Sequence, residues 1–407
     1  MPRDQAFSLL LRTRGPLART CAVAMLGAAP ACVNDAGSRA FSVTDSAGVS
    51  VALSAVADHA FAEVEARPVV SLGGADVEGA TLFSNIRDIH VDPAGNLWIA
   101  DGASAEIRIF RPDGTHWKTA GTRGEGPGEF QRIRFLDGFH GDSVAVWDDA
   151  TFRLTVLDPE GTIARMSNPA RDQSPFQPLA MFDDGSMLVR ERTILQIGQI
   201  APEQTFADTA QFIRLYPETG TREPLATAPG PSWIWTGRYQ INVPFTINPG
   251  FDVHDHALYV VGGPDFRVRI FRDGRLSESF GVERDPGAVT AEDMNAHRAL
   301  FEELLPDNEQ RREHLRALDH PDRPANLPAY YQVFVADDGA TWARIYQPDL
   351  LASALWDVHA LDRRWLGHVR TPAGFLVYVI SQDRLVGVWR DELGVEHVRV
   401  YRYSRLD

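Results

Sequence analysis

Residues 86–121 read IRDIHVDPAGNLWIADGASAEIRIFRPDGTHWKTAG, and this stretch decides the fold. Turns rich in Asp, Pro and Gly separate its short runs of β-branched and aromatic residues, a pattern typical of consecutive β-hairpins. The predicted strands are Ile86–Val91, Leu97–Asp101, Ile107–Phe110 and Thr115–Ala120. The basic unit of the chain is therefore a meander of four antiparallel strands.

The unit recurs at residues 133–168, which read IRFLDGFHGDSVAVWDDATFRLTVLDPEGTIARMSN. Asp101 precedes Gly114 by 13 residues, and Asp148 precedes Gly161 by the same 13, so the period is 47 residues. A four-stranded repeat of about 40–50 residues is typical of one blade of a β-propeller. A β-sandwich, the alternative all-β architecture, does not predict this self-similarity.

Weaker copies follow the first two units. They occupy residues 178–226, 251–281, 329–370 and 374–403. The third copy keeps a strand at Phe212–Tyr216 after an insertion of roughly 20 residues. The last copy lacks a fourth strand, and residues 68–73 (PVVSLG) resemble an unpaired one. Lending that strand to the last unit would close a ring of six blades over residues 60–407 and remove its exposed edges.

One segment of the chain has helical rather than strand periodicity. Thr290 and Asp293 form a capping-box pattern, Pro306 divides the segment, and Asp307 is the predicted cap of a second helix. We therefore expect an all-β, six-bladed β-propeller with a short helical insertion, residues 290–320, before the fifth blade. The insertion is either a packed surface element or a lid or docking element.

The first 32 residues have the pattern of an export signal. Four arginines precede a short apolar run, which ends in Ala29-Pro30-Ala31-Cys32. Small residues before a cysteine resemble a bacterial lipoprotein signal, in which Cys32 would be lipidated. A plain cleaved signal and a cytosolic chain with a disordered start are the alternatives. Residues 33–59 are predicted to form a hairpin and a linker, and the expected location is exported, either membrane-anchored or periplasmic or extracellular.

Composition excludes several classes of protein. The 407 residues include 40 basic and 55 acidic side chains, a formal charge of −15, which argues against nucleic acid as a partner. Two cysteines exclude a disulfide scaffold and a multi-cysteine metal site. We expect a monomer that contacts a membrane only through a lipid anchor.

Three stretches resemble a known family. The loop Gly121–Phe130 (GTRGEGPGEF) is similar to the joint between blades of NHL-type propellers. Together with residues 41–53 and 385–405, it resembles the six-bladed propellers that many bacteria export, often as lipoproteins. The resemblance implies the fold over nearly the whole mature chain, and it implies no chemistry because that family is largely uncharacterised.

Propellers bind ligands in the central channel or on one disc face. The predicted channel residues are Arg87, Asp88, Arg134, Asp137, Asp252, Tyr331 and Gln332. The related calcium-dependent lactonases hold their metal in this channel with carboxylate and Asn oxygens. Asn85, Asp88 and Asn248 are the candidate ligands for such a calcium ion here, although the third and sixth blades offer no carboxylate.

Two further features are candidates for binding. His254-Asp255-His256 could contact a metal, but no third ligand is identifiable, so a solvated turn is the favoured interpretation. Trp233, Trp235 and Tyr239 lie in a Pro-rich, loop-like stretch and could anchor a sugar or a protein, or pack between blades.

No complete catalytic set is identifiable in the sequence. We therefore expect a ligand-binding or protein-interaction scaffold at the cell envelope, with no cofactor, that binds a protein, small molecule or sugar at the disc face. The alternative is a calcium-dependent lactonase or hydrolase with its metal in the channel. A third hypothesis is a partner of an envelope complex that docks through the helical insertion.

Overall fold

The computed structural model of the protein describes residues 41–74, 79–169, 176–191, 200–246, 248–381 and 383–406. These residues are mostly β, with two helices, as the sequence predicts. Neither of the described helices combines the length and the apolar character needed to cross a membrane. The predicted signal and Cys32 lie outside the described residues.

Four short strands precede the first repeat: β1 (Phe41–Ser46), β2 (Val49–Ala55), β3 (Ala62–Val64) and β4 (Val70–Leu72). β1 and β2 form an antiparallel hairpin. The predicted N-terminal hairpin therefore exists, and the strand predicted at residues 68–73 is β4.

Six antiparallel sheets follow, each built mainly from strands that are consecutive in the chain. Sheet 1 contains β5 (Ile86–Val91), β6 (Leu97–Asp101), β7 (Glu106–Phe110) and β8 (His116–Ala120). A small parallel pair follows, β9 (Thr122–Arg123) and β10 (Glu129–Phe130). Sheet 2 contains β11 (Ile133–Phe139), β12 (Ser143–Asp148), β13 (Arg153–Leu157) and β14 (Ile163–Ser167). Sheet 3 contains β15 (Phe176–Met181), β16 (Met187–Glu191), β17 (Gln204–Leu215), β18 (Arg222–Trp235) and β19 (Gln240–Asn242).

The second half of the chain repeats this plan. Sheet 4 contains β20 (Gly250–His254), β21 (Ala257–Val261), β22 (Arg267–Arg272) and β23 (Arg275–Glu283), and β2 extends it by pairing in parallel with β23. Helices α1 (Ala291–Leu304) and α2 (Glu309–Ala317) come next. Sheet 5 contains β24 (Tyr330–Val335), β25 (Thr341–Ile345), β26 (Leu355–His359) and β27 (Trp365–Arg370). Sheet 6 contains β28 (Phe375–Ile380), β29 (Arg384–Arg390) and β30 (Glu396–Arg405).

The six sheets form a closed ring. The first strand of each sheet contacts the first strand of the next, and β28 of sheet 6 contacts β5 of sheet 1. Each adjoining pair of sheets also shares a hydrophobic core. Ile89 of sheet 1 and Val388 of sheet 6, for example, are both buried in the core that closes the ring. Each large apolar side chain buried in these cores contributes about 1.5–3 kcal/mol.

Both ends of the described chain take part in closing the ring. β30 pairs antiparallel with β4 and also with β3. The buried Glu396 carboxylate of β30 accepts a hydrogen bond of 2.6 Å from the Ile86 amide of sheet 1. The N-terminal strands thus complete sheet 6, and this sheet has no exposed long edge at that side.

Sheet 3 differs from its prediction. Its third strand begins at Gln204, eight residues before the predicted Phe212, and pairs with β18, which is also long. β18 contains Pro229 and Pro231, which donate no ladder hydrogen bond, and the register shifts between Ala207 and Thr209 where these prolines lie. The stretch that resembles a Pro-rich loop is therefore part of a long hairpin.

The two helices have identifiable caps. Thr290 and Asp293 form the predicted capping box of α1. The cap of α2 is Asn308, whose Oδ1 accepts a hydrogen bond of 3.0 Å from the Arg311 amide. The prediction of Asp307 as this cap is wrong by one residue, and Asp307 forms an exposed ion pair with Arg311 instead. Both residue types favour this position, so composition could not distinguish them.

The glycine-rich joint between sheets 1 and 2 is a tight turn rather than a phosphate-binding loop. Gly128 has a φ of +78°, a conformation that residues with a side chain rarely adopt. A Cβ atom at Gly124 would overlap the Glu129 carboxylate, which folds back to accept a hydrogen bond from the Gly126 amide. Backbone geometry therefore favours glycine at position 128, whereas the small size of Gly124 leaves room for the Glu129 side chain.

Candidate functional site

A cavity of about 420 Å³ lies at one end of the ring, among the ends of the first strands. Residues of sheets 1 to 5 line it, and its polar lining residues are His90, Asp137, His140, Asp183, Asp252 and Gln332. An adjoining cavity of about 690 Å³ shares His90 with it and reaches the first turns of sheets 1, 5 and 6. We call this end of the ring the turn end, because the turns between first and second strands surround it.

Apolar side chains form the rest of the cavity wall. Phe139, Phe251 and Phe334 come from three different sheets, and Leu179 and Met181 come from sheet 3. Asp137 and Phe139 are two residues apart in β11, as are Gln332 and Phe334 in β24. Because side chains alternate between the two faces of a strand, each pair reaches the cavity from the same face.

Three aspartates of the first strands join neighbouring sheets. In Asp88, Asp137 and Asp252, Oδ1 accepts a hydrogen bond of 2.9 Å from the amide of the following residue. Oδ2 accepts a second bond from an amide of the next sheet's first strand: Leu136 at 3.0 Å, Met181 at 2.8 Å and Val335 at 2.8 Å, respectively. These carboxylates therefore join adjacent first strands. The sequence of one strand alone does not indicate this role.

The three aspartates differ in their access to the cavity. Asp88 is fully buried, so its contribution is structural. Asp137 and Asp252 are partly exposed and line the cavity. A carboxylate has four lone-pair positions, so these two residues keep acceptor capacity toward a ligand while they hold the strands.

The other predicted channel residues lie nearer the opposite end, where the first strands begin. The Arg134 guanidinium forms an ion pair of 2.8 Å with Asp149, and the Arg87 stem packs over Gly102. Burial raises the pKa of Tyr331 to about 12, and the positive charge of Arg344 opposes this rise. Of the seven predicted channel residues, Asp137, Asp252 and Gln332 are those that line the turn-end cavity.

The predicted calcium ligands have separate surroundings. Asn85 Oδ1 is buried without a hydrogen-bond partner, whereas both carboxylate oxygens of Asp88 accept amide hydrogen bonds. Asn248 lies just before β20. Among the described residues, no group of three or more His, Cys, Asp or Glu side chains could hold a metal ion. The calcium site with Asn85, Asp88 and Asn248 stays a prediction, which the calcium content of the purified protein would decide.

The His254-Asp255-His256 segment forms the turn between β20 and β21. Asp255 and His256 have positive φ values of 47° and 58°, as a tight hairpin turn requires. His256 Nδ1 lies 3.3 Å from the Arg214 guanidinium, a cation that disfavours a metal ion at the same nitrogen. The geometry agrees with the favoured interpretation of a turn.

Two of the three residues of the candidate aromatic surface lie in a strand. Trp233 and Trp235 belong to β18 and pair with Asn242 and Gln240 of β19, so the loop assignment is corrected for them. Tyr239 lies in the connection between β18 and β19. It packs against the small core beneath α2, and its hydroxyl donates a hydrogen bond of 3.3 Å to Glu309 of that helix. None of the three residues lines the turn-end cavity.

The carboxylate with the lowest pKa in the described part of the chain is not part of the cavity. Burial alone would raise the pKa of Asp357, but hydrogen bonds from His368, Arg284 and Tyr330 outweigh it and hold the value at about 2. Trp365 Nε1 donates a further bond of 2.9 Å. Asp357 has no solvent-exposed surface, so we assign this cluster to the packing of sheets 4 and 5.

The sequence analysis missed His90, His140, Asp183 and the three phenylalanines of the cavity. His90 lies two residues after Asp88, and Phe139 and Phe334 lie two residues after predicted residues. Extending each first strand by one step of its two-residue period would have found them. His140 and Asp183 lie in the following turns, which carry no periodic signal.

The turn end is rich in carboxylates with little compensating charge. Neither cavity is lined by lysine, and the arginine among the described lining residues is Arg384, at the larger cavity. Burial raises the pKa of Asp337 at the larger cavity, the charge of Asp338 raises it further, and His254 opposes both effects. A cation bound at this end would relieve such repulsion.

Comparison with solved structures supports the ring architecture. A member of the DUF4221 family from Bacteroides vulgatus shares 11% sequence identity with this chain, with a TM-score of 0.51 over 85% of this chain and 99% of the other. A protein of Bacteroides fragilis that is proposed to be exported shares 12% identity, with a TM-score of 0.46 over 85% and 96%. Virginiamycin B lyase from Staphylococcus aureus shares 11% identity, with a TM-score of 0.40 over 83% and 99%.

These structural neighbours are six-bladed propellers, and the similarity concerns the fold. No family model and no curated protein sequence matches the chain.

Proposed function

We propose that this chain is a six-bladed propeller, with sheets 1 to 6 as its blades, that binds a small-molecule ligand in the turn-end cavity. The observation that carries the proposal is the cavity of about 420 Å³ to which five sheets contribute side chains. Its volume lies within the usual range of small-molecule sites, about 300–1,000 Å³. Such sites usually have apolar walls with a few convergent polar groups, whereas polar atoms form most of the surface of this cavity.

The lining favours binding over covalent chemistry. The described residues around this cavity include no Ser, Thr, Cys, Tyr or Lys, so carboxylates and imidazoles are the groups there that could act as nucleophiles. Asp137 and Asp252 are held in place by amides of two adjacent strands, which makes them rigid positioning groups. A preorganised site of this kind loses little conformational entropy when a ligand binds.

Export and membrane anchoring through Cys32 complete the proposal. The support is the basic and apolar pattern of residues 1–32, which ends in small residues before a cysteine. Such a protein would present its turn end to solutes outside the cytoplasm. Membrane fractionation of the full chain and of Cys32→Ala tests this part: equal distribution of the two would refute the anchor.

Ligand-observed NMR with a fragment library tests the binding site. The library should contain cationic, neutral and anionic fragments in equal number, screened against the wild type and against Val253→Trp. Val253 is partly exposed on β20 and lines the cavity, so a Trp there fills the space. Fragments that bind the wild type should lose binding to this variant.

A second blocking variant guards against misfolding. Gln332→Trp fills the same cavity from sheet 5, and circular dichroism reports the fold of both variants. If folded variants with a blocked cavity keep the binding of all fragments, the turn-end cavity is not the binding site and the proposal fails.

A further inference from the structure

The described lining of the turn-end cavity contains three carboxylates and no Arg or Lys side chain. Asp137, Asp183 and Asp252 contribute carboxylates, which when ionised accept hydrogen bonds and donate none. The described lining residues with side-chain N–H groups are His90, His140 and Gln332. A ligand rich in acceptors, such as a carboxylate or a phosphate, would meet repulsion here, whereas a ligand with N–H donors and positive charge fits.

Asp183 is the carboxylate most open to a ligand. It is exposed in the turn after β15, and within the described part of the chain it forms no ion pair. Its neighbour Asp184 is the residue that pairs with Arg214, at 2.8 Å. Asp137 likewise forms no ion pair with Arg or Lys among the described residues. Both its oxygens accept hydrogen bonds from backbone amides.

The spacing of the carboxylates favours an extended organic cation over a metal ion. A divalent metal needs several oxygen ligands within about 2.3–2.6 Å of one point. The described residues contain no group of three acidic or histidine side chains with that geometry. Carboxylates spread around a cavity instead suit a charge carried by an ammonium or guanidinium group, which donates hydrogen bonds in several directions.

The apolar part of the wall indicates the rest of the ligand. Phe139, Phe251 and Phe334 line the cavity, although Phe139 and Phe334 have little exposed surface, and aromatic rings attract organic cations as well as apolar groups. The Arg165 guanidinium already lies 5.3 Å from the centroid of the Phe139 ring, so one ring of this wall is in a cation–π contact within the protein itself.

We propose that the turn-end cavity binds a small organic cation, an ammonium or guanidinium group carried on an apolar body. This inference rests on the proposed function and adds the chemical class of the ligand. The cation contacts Asp137, Asp183 and Asp252, and its apolar body packs against the three phenylalanine rings.

Three probes that share one skeleton test the charge preference: phenethylamine, 2-phenylethanol and 3-phenylpropionate. Isothermal titration calorimetry at pH 7.5 and low salt measures each dissociation constant with the wild type. We expect phenethylamine to bind about tenfold more tightly than 2-phenylethanol, which corresponds to about 1.4 kcal/mol. We expect 3-phenylpropionate to bind more weakly than the alcohol.

Two matched variants locate the charge effect. Asp183→Asn should weaken phenethylamine binding about threefold and leave 2-phenylethanol unchanged, since the attraction of a solvent-screened carboxylate for a cation is modest. Asp142→Asn is the control: Asp142 is exposed at the same end of the ring but lines neither cavity. This variant should change neither affinity.

The outcomes separate this inference from the proposed function. If the three probes bind equally and Val253→Trp abolishes their binding, the cavity is a ligand site but the preference for cations is wrong. If phenethylamine binding survives Val253→Trp and Gln332→Trp, the site itself is wrong. Equal effects of Asp183→Asn and Asp142→Asn, or no binding of phenethylamine, would also overturn the inference.

Discussion

The two ends of the ring show how one fold builds two different environments. At the turn end, carboxylates surround open cavities of about 420 and 690 Å³. At the other end, which we call the insertion end, α1 contacts Phe245, which precedes the first strand of sheet 4, and α2 contacts β19 of sheet 3. Charge is concentrated at the turn end, where water has access, and aromatic packing dominates where the helices contact the sheets.

At the insertion end, aromatic and histidine side chains contact one another in series. Phe245, which precedes β20, lies 5.0 Å from His297 of α1, measured between ring centroids. His297 lies 4.7 Å from Phe301, and Phe301 lies 5.0 Å from His314 of α2. Burial and, to a smaller extent, the nearby His314 lower the pKa of His297 to about 4. The insertion is therefore held by packing that requires neutral histidines.

The largest expected effect concerns the carboxylate that joins sheets 1 and 2. Asp88→Ala leaves the amides of Ile89 and Leu136 without their charged acceptor in a fully buried place. We expect the free energy of unfolding to fall by on the order of 3 kcal/mol, because hydrogen bonds to charged groups contribute about 1.5–3 kcal/mol each. Urea unfolding measures the loss.

Asp183→Ala is the matched control for Asp88→Ala. The residue is exposed at the same end of the ring, so we expect a change within about 0.5 kcal/mol. If the two variants lose similar amounts of unfolding free energy, the first-strand aspartates do not join the sheets. Buried and exposed carboxylates of the turn end would then not differ in their structural role.

The next largest expected effect is a fall in the free energy of unfolding at low pH, caused by His297 at the insertion end. The pKa of His297 is about 4 in the folded protein, below its usual value of 6.5, so the unfolded chain binds the proton more readily. The free energy of unfolding should therefore be unaffected by this group above about pH 6.5 and fall as the pH drops toward 4. The expected loss from His297 alone is on the order of 2 kcal/mol at pH 5.

His297→Phe keeps a ring at this position and removes the titration. Urea unfolding at pH 8, where His297 is neutral, gives the effect of packing alone, and the series down to pH 4.5 gives the effect of the proton. The variant should lose less stability than the wild type over this range. Parallel pH profiles would contradict a buried neutral His297. His359, whose pKa is also lowered to about 4 by burial, remains in both proteins.

The smallest expected effect tests the corrected helix cap. Asn308→Ala removes the acceptor of the Arg311 amide and should cost about 1 kcal/mol, mostly in the local stability of α2. Asp307→Ala removes an exposed ion pair and should cost less than about 0.5 kcal/mol. Hydrogen exchange of α2 amides reports both, and the reverse order would restore Asp307 as the cap. Ligand binding at the turn end should be unchanged in both variants.

Sequence reasoning predicted the architecture because the repeat is local. The 13-residue spacing from Asp101 to Gly114 recurs from Asp148 to Gly161, and each four-stranded unit is a local meander. Because the last unit lacks a fourth strand, residues 68–73 were expected to pair with it. β4 pairs with β30, in agreement with that expectation.

The site was harder to predict because it depends on contacts between units. The amide that Asp88 binds lies 48 residues away in sheet 2, and no local pattern indicates this pairing. The register of several first strands also shifts at a bulge, between Ile86 and Asp88 and between Tyr330 and Gln332. A bulge reverses the alternation of side chains, so simple periodicity did not separate Arg87 or Tyr331 from true cavity residues.

The hydrogen bond between Ile86 and Glu396 spans 310 residues, and it has consequences for the order of folding. Ribosomes release a chain from its N-terminus, so β3 and β4 emerge early and must wait for β30, the last of the described strands in chain order. Contacts between such distant parts of a chain form slowly, because closing a long loop costs entropy before any pairing compensates. Until then, β4 is a short unpaired strand and sheet 6 has an open edge, so this is the interval in which the newly made protein is most vulnerable to aggregation.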